Sequence, residues 1–417
     1  MSLRHLVKYL QQARTGPLTP LRDRFPRKDL VMDFELNEEQ QLFRRTLREY
    51  VDKEIVPVAP EWERTGRYPT EIVEGFQRMG LFGITIPEEY GGLALDRVSF
   101  ALVFEEIARG WMGVAGVLGS HSLAAWMIAT HGTEEQRSAY LPDLATGVRR
   151  TGIALTEPAA GTDLQGIQTR AVRDGDHYVI NGTKTWITNA RHADPMPVLV
   201  KTSLTDPAHR GMSIILVEAG TPGYTVSRDL PKLGYKGTET CEIVLQDVRV
   251  PASALLGGVE GRGMQQALSA LELGRVNIAA RAVGVSQCAY DAALSYSRER
   301  HAFGRPISDF QAIQLKLADM ATDIQAARLL TYWAAVRSEN GAVNSEAAMA
   351  KYFASEVALR TTMEAMRIHG GYGYSQEFVL ERLYRDAPLM AIGEGTNDIQ
   401  RMVIAKALIS GTAKVGW

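Results

Sequence analysis

Ala154-Leu155-Thr156-Glu157-Pro158-Ala159-Ala160-Gly161-Thr162-Asp163-Leu164-Gln165-Gly166 separates two kinds of sequence. Its small residues and hydroxyls let backbone amides approach an anionic or polar ring, although alone it also reads as a plain connecting loop. The chain beyond it is β-prone. Asp174-Gly175 and Asn181-Gly182 are tight-turn dipeptides, flanked by short runs such as His177 to Ile180 and Lys184 to Ile187. Val198 to Lys201, Met212 to Val217, Tyr224 to Ser227 and Glu242 to Leu245 continue the pattern to Pro251, predicting a compact β unit, a small barrel or sandwich. Trp186-Ile187-Thr188 falls on a predicted strand, which places the indole and the Thr188 hydroxyl on one face.

On either side of this unit the period is helical. Asn37 and Gln40 have capping-box spacing ahead of Phe43, Leu47, Tyr50 and Val51, and helical signal runs on through Phe76, Met79 and Leu81 and from Phe100 to His131. Beyond Gly263 the helical period returns, interrupted at Gly304-Arg305-Pro306, Asn340-Gly341 and Gly370 to Gly373, which predicts a bundle of long helices. The resulting division is an N-terminal extension 1–32, an all-α domain 33–151, a β domain 152–260 and a helical bundle 261–417. Ligands usually sit where such segments meet.

Composition narrows the class. The 417 residues are 45% hydrophobic and 23% charged, with 46 Lys and Arg against 48 Asp and Glu, so no bulk charge draws the chain to nucleic acid or a membrane surface. Cys241 and Cys288 lack CxxC spacing, which argues against a disulfide framework or a cysteine metal site; no metal is expected. No apolar run reaches the roughly 20 residues of a membrane span. The extension carries Arg4, Lys8, Arg14, Arg22, Arg24, Arg27 and Lys28, but Pro17, Pro20 and Pro26 interrupt any amphipathic helix. It reads as an arm on a neighbouring subunit in a cytoplasmic protein, or as a transit peptide to the mitochondrial matrix.

Five elements in order then resemble the acyl-CoA dehydrogenase family. Thr156-Glu157-Pro158 with Gly161 and Asp163, followed by Trp186-Ile187-Thr188, resembles its first signature. Ile368-His369-Gly370-Gly371-Tyr372-Gly373-Tyr374 with Arg382 to Asp386 resembles the second, and Gly393-Glu394-Gly395-Thr396 its catalytic segment. Arg300, Phe303-Gly304 and Gln311 are similar to further family elements. The resemblance implies an all-α N-terminal domain, a middle β-barrel, a C-terminal four-helix bundle and a homotetramer holding FAD at its junctions. By the same resemblance Leu155, Thr156, Thr162, Trp186, Ile187 and Thr188 would contact the flavin. Arg300 would pair with the pyrophosphate of a neighbouring subunit's FAD beside Phe303 and Gln311, with Arg367, Gly370, Gly371 and Thr396 completing the cofactor set. Arg367 departs from the Gln usual there. Thr162, Glu272, Arg275 and Gly395 would face the acyl-CoA, Arg275 holding part of the CoA moiety, although a lone helix arginine is ordinarily surface.

The implied reaction is α,β-dehydrogenation of an acyl-CoA in fatty acid β-oxidation, with Glu394 taking the α proton, flavin N5 the β hydride, and electron-transfer flavoprotein the electrons. The proton is weakly acidic, so a carboxylate in contact and a donor to the enolate oxygen are both needed; the Glu394 amide is the implied protein donor. Read without the family, Glu394 is an acid before a helix capped by Thr396 or Asn397. Some family members carry the base where Gly274 stands here. Gly393 replaces a Tyr common in straight-chain enzymes, predicting room for branched or bulky acyl groups. A decarboxylating glutaryl-CoA enzyme would want an arginine in the N-terminal domain near the pocket, and Met112 to Gly119 offers none. Competing readings are an acyl-CoA oxidase, a nitroalkane oxidase with Asp for Glu394, and a non-catalytic binding subunit.

Overall fold

The computed structural model describes residues 35–339, 341 and 343–414; the 1–32 extension and Asn340 of the predicted Asn340-Gly341 turn lie outside them. Helix α1 (Glu38–Tyr50) opens on the expected capping box: Gln40 N donates to Asn37 Oδ1 at 2.8 Å and Asn37 N to Gln40 Oε1 at 3.2 Å. After α2 (Ala59–Thr65) and α3 (Thr70–Met79) comes α4 (Arg97–His131), kinked at Trp111 (φ −157°, ψ 104°), and then α5 (Glu134–Thr146). By length and a mean hydropathy of 1.4 over 18 residues, α4 qualifies as a membrane span, but 83% of that window is buried inside the protein, as in a core helix. Towards its N-terminal half α4 carries Glu105 and Glu106. Both are buried and hold Arg328 at 3.1 Å and Arg44 at 2.8 Å.

The β domain is one six-stranded sheet in the order β4-β3-β1-β2-β6-β5, formed by β1 (Arg170–Asp174), β2 (His177–Thr188), β3 (Met196–Lys201), β4 (Met212–Val217), β5 (Tyr224–Val226) and β6 (Thr240–Pro251). All but β1–β3 are antiparallel pairs. Alternation assigns its two faces. Tyr178, Ile180, Val198, Ile215 and Ile243 fill the domain's own core, whereas Leu199, Met212, Ile214 and Leu216 pack with Ile128, Leu141 and Leu144 of the helical domain. Asp174-Gly175 is the predicted turn, but Asn181-Gly182 is not. It is a bulge within a continuous β2, with Gly182 at φ +154° and Asn181 exchanging hydrogen bonds of 3.0 and 2.9 Å with Asp247 of β6.

The remaining helices are α6 (Gly263–Glu299), α7 (Gln311–Ser338), α8 (Asn344–His369), α9 (Leu380–Ile392) and α10 (Asn397–Ile409). A short hairpin of β7 (His301–Ala302) and β8 (Arg305–Pro306) joins α6 to α7. The bundle shares one core with the N-terminal helices: Phe104, Ala108 and Leu118 of α4 cluster with Val276, Ala280 and Val283 of α6 and with Ile324, Ala354 and Leu383 beyond. Close approach of α4 and α6 is needed, because a Cβ on Gly284 would lie 2.1 Å from the Glu105 carbonyl oxygen. Three domains therefore meet along α4 and α6, and that seam positions the site.

Candidate active site

Glu394 sits in the four-residue connection between α9 and α10, in the left-handed region at φ +56°. A non-glycine residue there costs about 1–2 kcal/mol, so its surroundings must hold it. They do so through the loop carbonyls. Lys351 Nζ of α8 donates to Gly395 O at 2.8 Å, Ala391 O at 3.2 Å and Asn397 Oδ1 at 2.9 Å, and Gln400 Nε2 donates to Glu394 O at 3.2 Å and Gly395 O at 3.0 Å. Thr396 Oγ1 caps α10 through Ile399 N at 3.4 Å, and Asn397 instead binds Lys351 and Glu356. Among the described residues the Glu394 amide makes no backbone hydrogen bond, which leaves it available as a donor.

Its side chain enters the seam. Oε2 is buried and has no hydrogen-bond partner among the described residues, and a Cβ on Gly274 of α6 would lie 2.7 Å from it and 2.8 Å from Leu123 Cδ2 of α4. Glycine at 274 is thus the space in which the carboxylate rests. Burial raises the Glu394 pKa, and Arg281, Arg275 and Lys351 pull it back down. The result is a more basic carboxylate with an open lone pair, held by surrounding positive charge without a direct ion pair. Gly274→Ala is expected to displace it and slow turnover by roughly 10- to 100-fold with the fold retained, since small misplacements of a reacting group have effects of that order. An unchanged kcat would show that Gly274 does not set the carboxylate's position.

Arg275 differs from expectation. Only 5% exposed, it donates from Nη1 to Asn344 and lies in the electrostatic field of Glu272 and Glu394, because α8 begins directly over it. It therefore presents no open face to a CoA moiety in this conformation. Glu272 is half-buried and accepts from Val343 N at 3.4 Å; burial raises its pKa.

The second group lies on the β domain. Lys184 of β2, fully buried, donates to Leu155 O at 3.0 Å and to Glu157 Oε1 at 2.9 Å, while Glu157 also accepts from Gln168 N and Thr169 N at 2.6 and 3.0 Å. Burial would lift the Glu157 pKa, but Lys184 and these donors bring it below the ordinary value; burial pushes Lys184 down to about 8. With Thr185 N bonded to Thr156 O at 2.9 Å, this clamp fastens the 154–157 segment to β2. Thr162 is exposed and Thr188 half-buried. Trp186 is not on regular strand: it has φ +60° at a register shift between Lys184 and Ile187, and the residue is 58% exposed. Ile187, by contrast, is 2% exposed in the β core, so only its backbone can meet a ligand.

A third group forms a cleft of about 580 Å³ lined by Arg300, Arg367, Gly370, Gly371, Tyr296 and Tyr372 among others. Gly370 (φ +60°) and Gly371 have nothing within 4 Å of where a Cβ would stand. Arg300 lies 5.9 Å from the Tyr372 ring, and Arg367 pairs with Glu364. Phe303 is 96% exposed at φ +51°, and Gln311 is exposed at the start of α7. Two guanidinium groups lining a cleft with an open glycine pair suit a diphosphate, and an exposed indole suits a flat ring, so the residues fit FAD. None of residues 155–188 lines the cleft.

Sequence reasoning missed Lys184, Asn277, Arg281, Lys351 and Gln400. The available signal was a polar residue breaking an apolar stripe, visible at Asn277, Arg281 and Lys351, all buried.

The chain matches the acyl-CoA dehydrogenase N-terminal domain over residues 37–148, the middle domain over 152–248 and the C-terminal domain over 261–409. A probable acyl-CoA dehydrogenase of Bacillus subtilis (strain 168) is 46% identical over 381 residues, 91% of this chain and all of that protein. A caffeyl-CoA reductase-Etf complex subunit of Acetobacterium woodii is 40% identical over 377 residues, 89% of this chain and 99% of that protein. Butyryl-CoA dehydrogenase of Megasphaera elsdenii superposes with a TM-score of 0.88 at 40% identity, covering 91% of this chain and 100% of that one. With three domains in the same order, a seam that isolates one carboxylate and a surface suited to a flavin dinucleotide, the chain belongs to the acyl-CoA dehydrogenase family of FAD-dependent oxidoreductases that act on CH–CH bonds.

Proposed function

We propose that the chain oxidises an acyl-CoA thioester to its trans-2-enoyl-CoA, with Glu394 as the base that removes the α proton. The observation that carries this reading is the buried, unpartnered Glu394 Oε2 in the α4–α6 seam. Glu394 takes the proton onto that oxygen, its backbone amide donates to the developing enolate oxygen, and substrate entry expels water, strengthening both interactions. FAD, when bound, supplies the oxidant that accepts the β hydride. Leu155, Thr156, Thr162, Trp186 and Thr188 would hold its ring end, and Arg300, Arg367, Gly370 and Gly371 the diphosphate end of a neighbouring subunit's FAD, which accounts for two separate surfaces and requires at least a dimer; the homotetramer is proposed from the family resemblance. Electron-transfer flavoprotein is the proposed acceptor, in keeping with the Etf complex of the A. woodii relative. Gly393 leaves room for branched acyl groups.

Anaerobic addition of acyl-CoAs to the yellow protein tests the reading: bleaching with stoichiometric 2-enoyl-CoA supports it, and a flavin that no acyl-CoA reduces contradicts it. Arg300→Ala is expected to weaken FAD retention by roughly 10- to 100-fold, the worth of one charge-assisted phosphate contact. Unchanged occupancy after dialysis would remove Arg300 from the cofactor set.

A further inference from the structure

Gly274, Asn277 and Arg281 stand three, four and seven residues apart on α6 and so share one face. That face looks onto α4. A side chain on Gly274 would meet Leu123 and Glu394, and one on Gly119 would meet Arg281 Nη2 at 1.8 Å and Asn277 Nδ2 at 2.8 Å. The same seam therefore has a carboxylate at one level and a guanidinium at another. Arg281 leans back along the helix, its Nε reaching Asn277 Oδ1 at 2.6 Å, so the two levels are about one turn, roughly 5 Å, apart along the axis.

Arg281 is 4% exposed. Its Nη1 donates to Tyr235 Oη at 3.3 Å, and the rings of Phe104 and Tyr235 lie 5.5 and 6.0 Å from its Cζ. Among the described residues no carboxylate lies within ion-pair distance of it and Nη2 makes no hydrogen bond, whereas Arg109, Arg328 and Arg385 each hold a buried glutamate. A buried cation without an ion-paired anion is costly, and this one, with the Asn277 amide beside it, lies near enough to the proposed base to lower the Glu394 pKa. The arginine absent from Met112 to Gly119 is thus supplied from the opposite wall, by α6, through the gap that Gly119 leaves.

We propose that Arg281 binds the terminal carboxylate of a short dicarboxylic acyl-CoA, whose thioester end lies at Glu394 and whose far end is anionic. This rests on Glu394 being the base. The one-turn separation suits an acyl group of roughly four to five carbons. The reaction is the same dehydrogenation: one proton passes to Glu394 and one hydride to FAD, and a C=C bond forms between the α and β carbons.

The test uses the FAD-loaded full chain, anaerobic bleaching and two matched pairs: glutaryl-CoA against valeryl-CoA, and methylsuccinyl-CoA against 2-methylbutyryl-CoA. The wild type is expected to favour the carboxylated member of at least one pair by about 10- to 100-fold in kcat/KM, the range of a hydrogen bond to a charged group. Arg281→Met should abolish that ratio, and Arg281→Lys should keep part of it. A wild type that prefers the neutral member of both pairs overturns the proposal, whether or not the Met variant folds, as does a ratio that survives Arg281→Met. Failure of every acyl-CoA to bleach the flavin would instead strike the Glu394 reading.

Discussion

Glu394→Gln is expected to keep its yellow colour and its fold while losing about 100- to 10,000-fold in the rate at which an acyl-CoA bleaches it, the range of a positioned general base. The substitution is close to isosteric, and Oε2 makes no hydrogen bond that the amide would break. The backbone contacts from Gln400 and Lys351 that hold the connection remain, since they go to carbonyl oxygens. Only the capacity to accept the α proton disappears. Stopped-flow absorbance of the oxidised flavin measures this, and bleaching within about tenfold of the wild type would remove Glu394 from the chemical step.

The second large effect is expected at Lys351. Its ammonium, pushed down to about 8 by burial while Glu394 draws it back up, spans three acceptors around the Glu394 connection. Lys351→Met leaves those acceptors short of a donor and is expected to cost about 2 kcal/mol of stability. It also removes one of three positive charges that offset the burial of Glu394. The Glu394 pKa, already raised, should rise further. Because the base works only when ionised, the rate falls as pH falls through that pKa, so the acid limb of the pH–rate profile should begin at a higher pH in the variant. An acid limb and an unfolding midpoint that both match the wild type would contradict this role.

Legibility followed the range of the interactions. The loop at 154–166, the helical periods on either side and the glycine-flanked Glu394 were readable because each is a local pattern. Asn181-Gly182 misled because a type I′ turn and a bulge use the same dipeptide, and the choice is made by Asp247 on β6. Regular alternation through Trp186 failed for a similar reason, at a register shift imposed by β6. Arg275 read as a CoA contact, or else as surface, because Asn344, which it meets in the fold, lies 69 residues away at the start of α8. Arg281 and Lys351 likewise gain meaning only when α4, α6 and α8 are assembled around the connection that carries Glu394.

Deuterium incorporation at the α carbon of a bound acyl-CoA in D2O, followed by mass spectrometry, tests most directly whether Glu394 moves that proton. The wild type is expected to exchange it, and Glu394→Gln to bind the same acyl-CoA with FAD in place and leave the position protiated. Exchange at the wild-type rate in Glu394→Gln would show that another group removes the proton.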